Sequence, residues 1–485
     1  MSRISKWWRT AFLLAVSATA LYADEDRFDL KYAKTFTYRG GRISVDHSFG
    51  SLVVDTGSAS EVSVRGTIRA SDPDFGRQIR IIADETGNGV SVRTEYPSHQ
   101  RHSGHFSYSV DLRVTVPPTA PVMLKNRFGS IEAGGLRGPA DVINAQGSVT
   151  VRETKGPLRI ENSFGSIEVS DSGGITTVKN ANGSIRVREV KGDLDMTNRF
   201  GSVAIDNAGD DVTIRNANGS VTAHEINGSL NVVNSFASVT VSNVRGGVEI
   251  TNGNGRVDVR EVGGNASLKT TYGSVSAAEI KGNLSVVAQN SKVEARTIHG
   301  MATIGTTFGS VEAREIGGAL KATNENGSIT AENISGDFTA DTRFGSVNAR
   351  NIRGSADVDN ANGSVQLSEV SRDAKVRTSF GSAFVKGVGG AVDVQNQNGA
   401  IGVSGMASGG CHPVVLRTSF SSIKVAVPSS ASYAVNARTS FGQINSDLPI
   451  TTTRMSDETM VGTIGSGSCR MELINANGSI TIERD

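Results

Sequence analysis

Lys125-Asn126-Arg127-Phe128-Gly129-Ser130-Ile131-Glu132-Ala133 is a stretch that the chain writes again and again. A Gly, usually followed by Ser and then Ile or Val, returns at 129, 147, 165, 183, 201, 219, 255, 273, 309, 327, 345, 363, 381 and 399. Ala237 and Ser291 take the Gly position in two further copies and stay on register. Gly129 and Gly399 thus bracket sixteen copies of 18 residues, with no insertion or deletion between them. An unbroken short period of this kind marks a unit that buries its apolar side chains only by stacking on its neighbours.

Counting slots from that Gly, slot 3 is Ile or Val in fifteen of sixteen copies, with Ala383 the exception. Slot 5 is always Val, Ala, Ile or Leu, and slot 4 between them is mostly polar (Glu132, Thr150, Glu168, Arg186). Such alternation is the pattern of a strand with one buried face. Slot 8 is usually Ile or Val, and slots 12 and 14 are apolar again (Leu158 and Ile160, Leu194 and Met196). Slot 10 is Gly in thirteen of fifteen copies, which predicts a corner needing positive φ or close backbone approach. No window shows helical recurrence. The reading is an all-β parallel β-helix, or β-solenoid, of two or three short strands per coil. At about 4.8 Å per coil, sixteen coils make a rod of about 77 Å.

Two slots carry polar or aromatic rows. Slot 16 is Asn in ten of fifteen copies, among them Asn144, Asn162, Asn180, Asn198 and Asn216, and Thr in four. A row of short amides predicts a structural ladder that hydrogen-bonds up and down the stack. Slot 18 has a doubled, 36-residue period: Phe128, Phe164, Phe200, Phe236, Tyr272, Phe308, Phe344 and Phe380 interleave with Gln146, Asn182, Asn218 and their successors. An 18-residue coil spaces the rings near 10 Å, whereas a 36-residue coil stacks ring on ring. The shorter coil is preferred, because slots 3, 5, 8, 12 and 14 already enclose a core. Core packing or a corner plug is the expected role of the rings, ahead of an aromatic binding stripe.

The flanks differ from the array. Residues 1–23 read as a secretory signal, with Arg3, Lys6 and Arg9 before an apolar Ala11–Ala20 run. The chain is expected to be exported, to the periplasm, cell surface or beyond, with no membrane span once processed. Residues 24–125 form an irregular β leader that caps the first open coil, and Ser48-Phe49-Gly50-Ser51-Leu52 is an outlying copy of the repeat. The regular array occupies 126–403, and 404–485 holds looser coils and a second cap. His99, His102 and His105 lie in a polar, loop-like setting, so an exposed loop is expected there rather than a metal site. Cys411 and Cys469 are the only cysteines and are candidates for a disulfide. With one further coil between them in sequence, strict stacking would set them about 10 Å apart, past the usual Cα limit of about 7 Å. The long 446–468 loop offers a way to relieve that.

Chemistry-bearing motifs are not evident. Slot 7 carries Glu153, Glu189, Glu225 and Glu261 among Asp171, Asn207 and Asn243. It is expected to be a solvated edge, the Asn keeping most glutamates two coils apart. The net charge of +1 and the absence of a basic block argue against nucleic acid. No cofactor, metal or catalytic residue is assigned.

The apolar leader segment, the Val114-Thr115-Val116-Pro117-Pro118 lead-in and the repeating Gly-Ser-Ile/Val pattern together resemble the bacterial "putative adhesin" β-strand-repeat family, a domain of unknown function, over roughly residues 28–485. The resemblance implies an exported or envelope-associated β-solenoid with an adhesive or structural role. It would meet a surface, a glycan, a protein or another copy of itself. The strict 18-residue coil is also similar to that of bactofilin scaffolds, which are cytoplasmic, unlike a chain with a secretory signal. The alternative reading is a carbohydrate-active β-helix of the polysaccharide lyase or hydrolase kind.

Overall fold

Each 18-residue copy folds as two strands, slots 3–8 and slots 12–18, as in Val149–Thr154 and Leu158–Phe164. The computed structural model describes residues 28–98 and 107–485. The segment read as a secretory signal and the three clustered histidines lie outside them. Successive coils pair in parallel with every slot over itself: Val149 faces Ile167, Asn162 faces Asn180, and Phe164 faces Asn182. That register fixes the coil at 18 residues and leaves 36 as the period of slot 18 alone. The slot-3 strands build one sheet and the slot-12 strands another. Val, Ile, Leu and Ala at slots 3, 5, 8, 12 and 14 fill the space between, nearly all of them fully buried.

Three bends turn the chain within a coil. Slot 1 needs Gly for two reasons. Gly183 has φ +131°, and a Cβ there would meet the Gly165 carbonyl oxygen at 2.2 Å. At slot 10 only the second reason applies, since a Cβ on Gly156 would lie 2.5 Å from the Gly138 oxygen. The third bend is at slot 7, where the backbone is left-handed in copy after copy: Glu153 at φ 54°, Asp171 at 55°, Glu189 at 54°, Asn207 at 63° and even Thr297 at 53°. A left-handed residue with a Cβ costs about 1–2 kcal/mol. The ladders on either side impose it.

At the two ends, order along the chain and order in space part company. The outlying copy, Arg42–Asp46 and Leu52–Thr56, lies directly on Val122–Phe128 and Ile131–Gly134. Its other side is covered by Gly89–Glu95 and Tyr108–Val116, which follow it in sequence. Antiparallel strands then close the edges: Arg80–Thr86 on one sheet, Glu61–Ala70 and Phe28–Thr37 on the other. The C-terminal end repeats this device. The last coil, Cys469–Asn477 and Ile480–Arg484, is inserted between the coil of Val414–Phe420 and that of Tyr433–Phe441. A hairpin, Thr451–Ser456 and Thr459–Ile464, pairs antiparallel on the outermost strand. Ending a parallel stack on antiparallel strands denies its open edge to another chain. The only helix among the described residues is the single turn Pro73–Gly76, capped by Asp72.

The insertion corrects the expected cysteine separation. Strands led by Cys411 and Cys469 are neighbours, not next-but-one, because the coil of Phe441 lies beyond them. The two sulfurs form a disulfide with a Cα separation of 5.2 Å.

The N-terminal end holds one buried titratable group. His47 occupies slot 16 of the outlying copy, where the array carries Asn, between Thr94 and Asn126 in the column. It is fully buried, its Nδ1 lies 3.2 Å from the Thr94 hydroxyl, and its Nε2 has no side-chain hydrogen-bond partner among the described residues. Burial pushes its imidazole down to about 4.

Two outcomes follow. The disulfide closes 58 residues of chain, a loop for which chain entropy gives about 4 kcal/mol. Reduction should therefore raise amide exchange across 404–485 while leaving 126–403 protected, as read by exchange mass spectrometry. His47 binds a proton in the unfolded chain below about pH 6.5 but in the folded chain only below about 4. Stability should thus fall as pH drops through that window, by about 3 kcal/mol in full. His47→Asn should lessen the fall between pH 7 and pH 4.5, measured by urea denaturation at both.

Candidate functional site: the aromatic edge

Slot 18 ends the second strand of each coil just before the slot-1 Gly, on a corner where the backbone turns away from the core. Its side chain points out of the corner. The rings from Phe128 to Phe441 are between 41% and 74% exposed, with Phe164 at 54% and Phe200, Phe308 and Phe344 also near half. This corrects the expectation of core packing: the rings form an outward row. They are two coils apart, about 9.6 Å.

The alternation of ring and amide follows space rather than sequence. Phe420 pairs with Asn477, and Asn477 with Phe441. Along the axis the order is therefore Phe380, Asn398, Phe420, Asn477, Phe441, although along the chain two Phe precede the Asn. At the opposite end the rule stops. Phe49 stacks on Phe128 at 4.8 Å between centroids with planes 10° apart. Tyr96 and Tyr108 close on Phe49 edge to face, each at 5.0 Å.

The amides between the rings are anchored. Asn182, Asn218 and Asn362 donate from Nδ2 to the carbonyls of Ser163, Arg199 and Arg343, at 3.3–3.5 Å. Those carbonyls belong to slot 17, which stands outside the strand register. Slot 17 is often Ala or Ser and slot 2 is mostly Ser, so the rings stand on an edge with few charges, among them Arg127, Arg199, Arg256, Lys292 and Arg343. One of those charges, the Arg199 guanidinium, lies 5.4 Å from the Phe200 ring.

The slot-16 amides also differ from expectation. Asn144 donates from Nδ2 to the carbonyls of Gly129 and Gly147, Asn162 to Gly147 and Gly165, and Asn198 to Gly183 and Gly201. Asn180 donates to Gly165 and Asn216 to Gly219. Within this column, amide-to-amide bonding occurs only from Asn234 to Asn252 among the described residues. The column therefore ties side chains to the slot-1 corners, which is why it sits buried three residues before each Gly, directly beneath the aromatic edge.

Slot 7 is a solvated acidic edge with one adjustment. Glu153, Asp171 and Glu189 are consecutive acids along an open groove of about 660 Å³, so Asn does not always intervene. A hydrogen bond with Asp171, and then its charge, push the Glu189 carboxyl up. Asp206, His224 and Glu225 bring one ligand-type atom each within 4.8 Å, all exposed. A second open groove, about 770 Å³, is lined by Thr213, Asn231, Ser267 and other small polar residues of slots 11 and 13. The Asp211 and Asn265 side chains there accept hydrogen bonds from the backbone of the next coil. On the slot-4 face, Arg296, Arg314 and Arg350 interleave with Glu312 and Glu332 in exposed ion pairs.

Three substitutions should separate these roles by denaturation midpoint. Leu284→Ala, in the core, should cost about 2–5 kcal/mol. Asn198→Ala, which frees two part-buried carbonyls and removes a buried amide, should cost about 1–3 kcal/mol. Phe308→Asn, which installs the residue found at the same slot one coil away, should change stability by no more than about 0.5 kcal/mol.

Residues 318–483 match a family model described as Toastrack DUF4097. No curated protein matches the sequence. Two solved structures align. A "putative cell adhesion protein" from Clostridium sporogenes ATCC 15579 is 7% identical, with 94% of this chain and 100% of that one covered, at a TM-score of 0.17. A "putative adhesin" from Parabacteroides distasonis ATCC 8503 is 12% identical, with 68% and 97% covered, at a TM-score of 0.16. Such scores carry no argument about this chain. Residues 318–483 of this β-solenoid are thus similar to the Toastrack DUF4097 family model, in keeping with the strand-repeat family that its sequence resembles.

Proposed function

We propose that the protein is an exported, non-enzymatic β-solenoid that acts as an adhesive or structural element of the cell envelope. The observation that carries this reading is the regularity of the outer surface. Amides, hydroxyls and half-exposed rings recur slot by slot along the rod, and each presents the same chemistry at many equivalent points. A surface of that kind favours extended contact with another extended object, where many weak interactions add up. Catalysis asks for the opposite, a local departure in which acid and base are held in unlike environments. The acidic pair Asp171–Glu189 is a product of the repeat and lies open to solvent. Among the described residues no helix is long and apolar enough to cross a membrane.

Export is carried by residues 1–23 as read from sequence. Joined to a reporter enzyme that is active only outside the cytoplasm, they should yield reporter activity, and a silent fusion would remove the envelope from the proposal. Incubated with acidic polysaccharides, the purified protein should release no new chain ends. Measurable cleavage would move the protein to the carbohydrate-active class.

A further inference from the structure

We infer that the aromatic edge is a self-complementary seam, and that its occupant is the same edge of a second copy of this chain. The argument begins with period. Rings stand about 9.6 Å apart with an amide between each pair, from Phe128 through Phe236, Tyr272 and Phe380 to Phe441. A second copy carries the same spacing over the same length. Shifted by one coil, its rings fall opposite the amides of the first, large against small along the whole row. A polymer without stacked β-strands would have to match the coil spacing by coincidence, and a small mismatch would accumulate coil by coil.

The structure contains the contact that such pairing would make. Phe49 lies one coil from Phe128 in place of the usual amide, and the rings stack at 4.8 Å with planes 10° apart. Slot-18 rings can therefore stack at the coil spacing in this fold. A partner ring over each amide would extend the same stack from one copy to the next.

The area is sufficient. An aromatic side chain offers about 150–250 Å², so a half-exposed ring leaves about 100 Å² to cover. Ten rings give about 1,000 Å² per copy and about 2,000 Å² for the pair, where stable interfaces bury about 1,200–2,000 Å². The composition agrees as well: rings flanked mostly by Gly, Ser and Thr, with Arg127, Arg199 and Arg343 beside three of them and Lys and Glu rare, match an interface core more than an ordinary surface. The inference is independent of where the protein is exported.

The test is sedimentation of the full chain over a concentration series, beside the variant Phe236→Asn/Phe308→Asn/Phe344→Asn. Each change installs the residue that both adjacent coils already carry at that slot, so the fold is retained, as circular dichroism would confirm. The unaltered chain should dimerise with rising concentration, and the variant should have a dissociation constant raised by at least about a hundredfold. A control, Val233→Asn/Val287→Asn, alters exposed apolar residues on the neighbouring face and should dimerise like the parent. A chain that stays monomeric, or a variant that dimerises unchanged, overturns the inference. So does a monomer that binds insoluble polysaccharide only while its rings are intact, which would assign the edge to a glycan instead.

Discussion

Backbone hydrogen bonding between coils is the constraint from which the rest descends. In a parallel ladder each N–H and C=O is met by the next coil, as when Val149 donates to Ser166 and Leu158 to Ile175, both at 2.9 Å. Once that register is set, every side chain has its equivalents about 4.8 Å above and below. What a slot tolerates is then decided by its column rather than by the residue alone. Val and Ile over Val and Ile make a continuous core, and Gly over Gly makes a corner whose carbonyls leave no room for a Cβ. Where unlike residues alternate, as ring and amide do at slot 18, the column repeats only every second coil.

The same constraint explains strain without Gly. At slot 7 the backbone passes through a left-handed conformation on Glu, Asp, Asn and Thr. Slot 6 and slot 8 on either side are locked into the ladder, as with Arg152 against Ser170 and Thr154 against Ser172. The intervening residue has no register partner and absorbs the turn. A short polar side chain at that point meets water instead of the core.

The period, the strand faces, the buried slots and the 18-residue coil were legible in the sequence because each rests on a pattern repeated many times. The slot-7 bend was not read, although Asn207, Asn243, Asn333, Asn351, Gly387 and Gly405 share that slot and are the residues that tolerate positive φ. The glutamates around them drew the reading toward charge. The exposure of Phe164, Phe200 and Phe344 was missed for a related reason. Hydrophobicity argues for burial one residue at a time, but slot 18 follows the last inward position and turns outward with the corner. Adjacency of Cys411 and Cys469 could not be inferred from order along the chain, since the last coil is inserted before the one that precedes it. Each cap is a local hairpin or strand docked on the stack by long-range pairings, such as Phe28–Thr37 on Glu61–Ala70 and Cys469–Asn477 on Val414–Phe420, and nothing local announces those.

The doubled period of slot 18 has a consequence for how such a rod can change in length. Removing a single coil from the array would set two rings, or two amides, on adjacent coils and throw the remainder of the row out of phase. Removing two coils would leave both the caps and the alternation as they are. Keeping the row in phase therefore means adding or removing turns in pairs, in increments of about 9.6 Å.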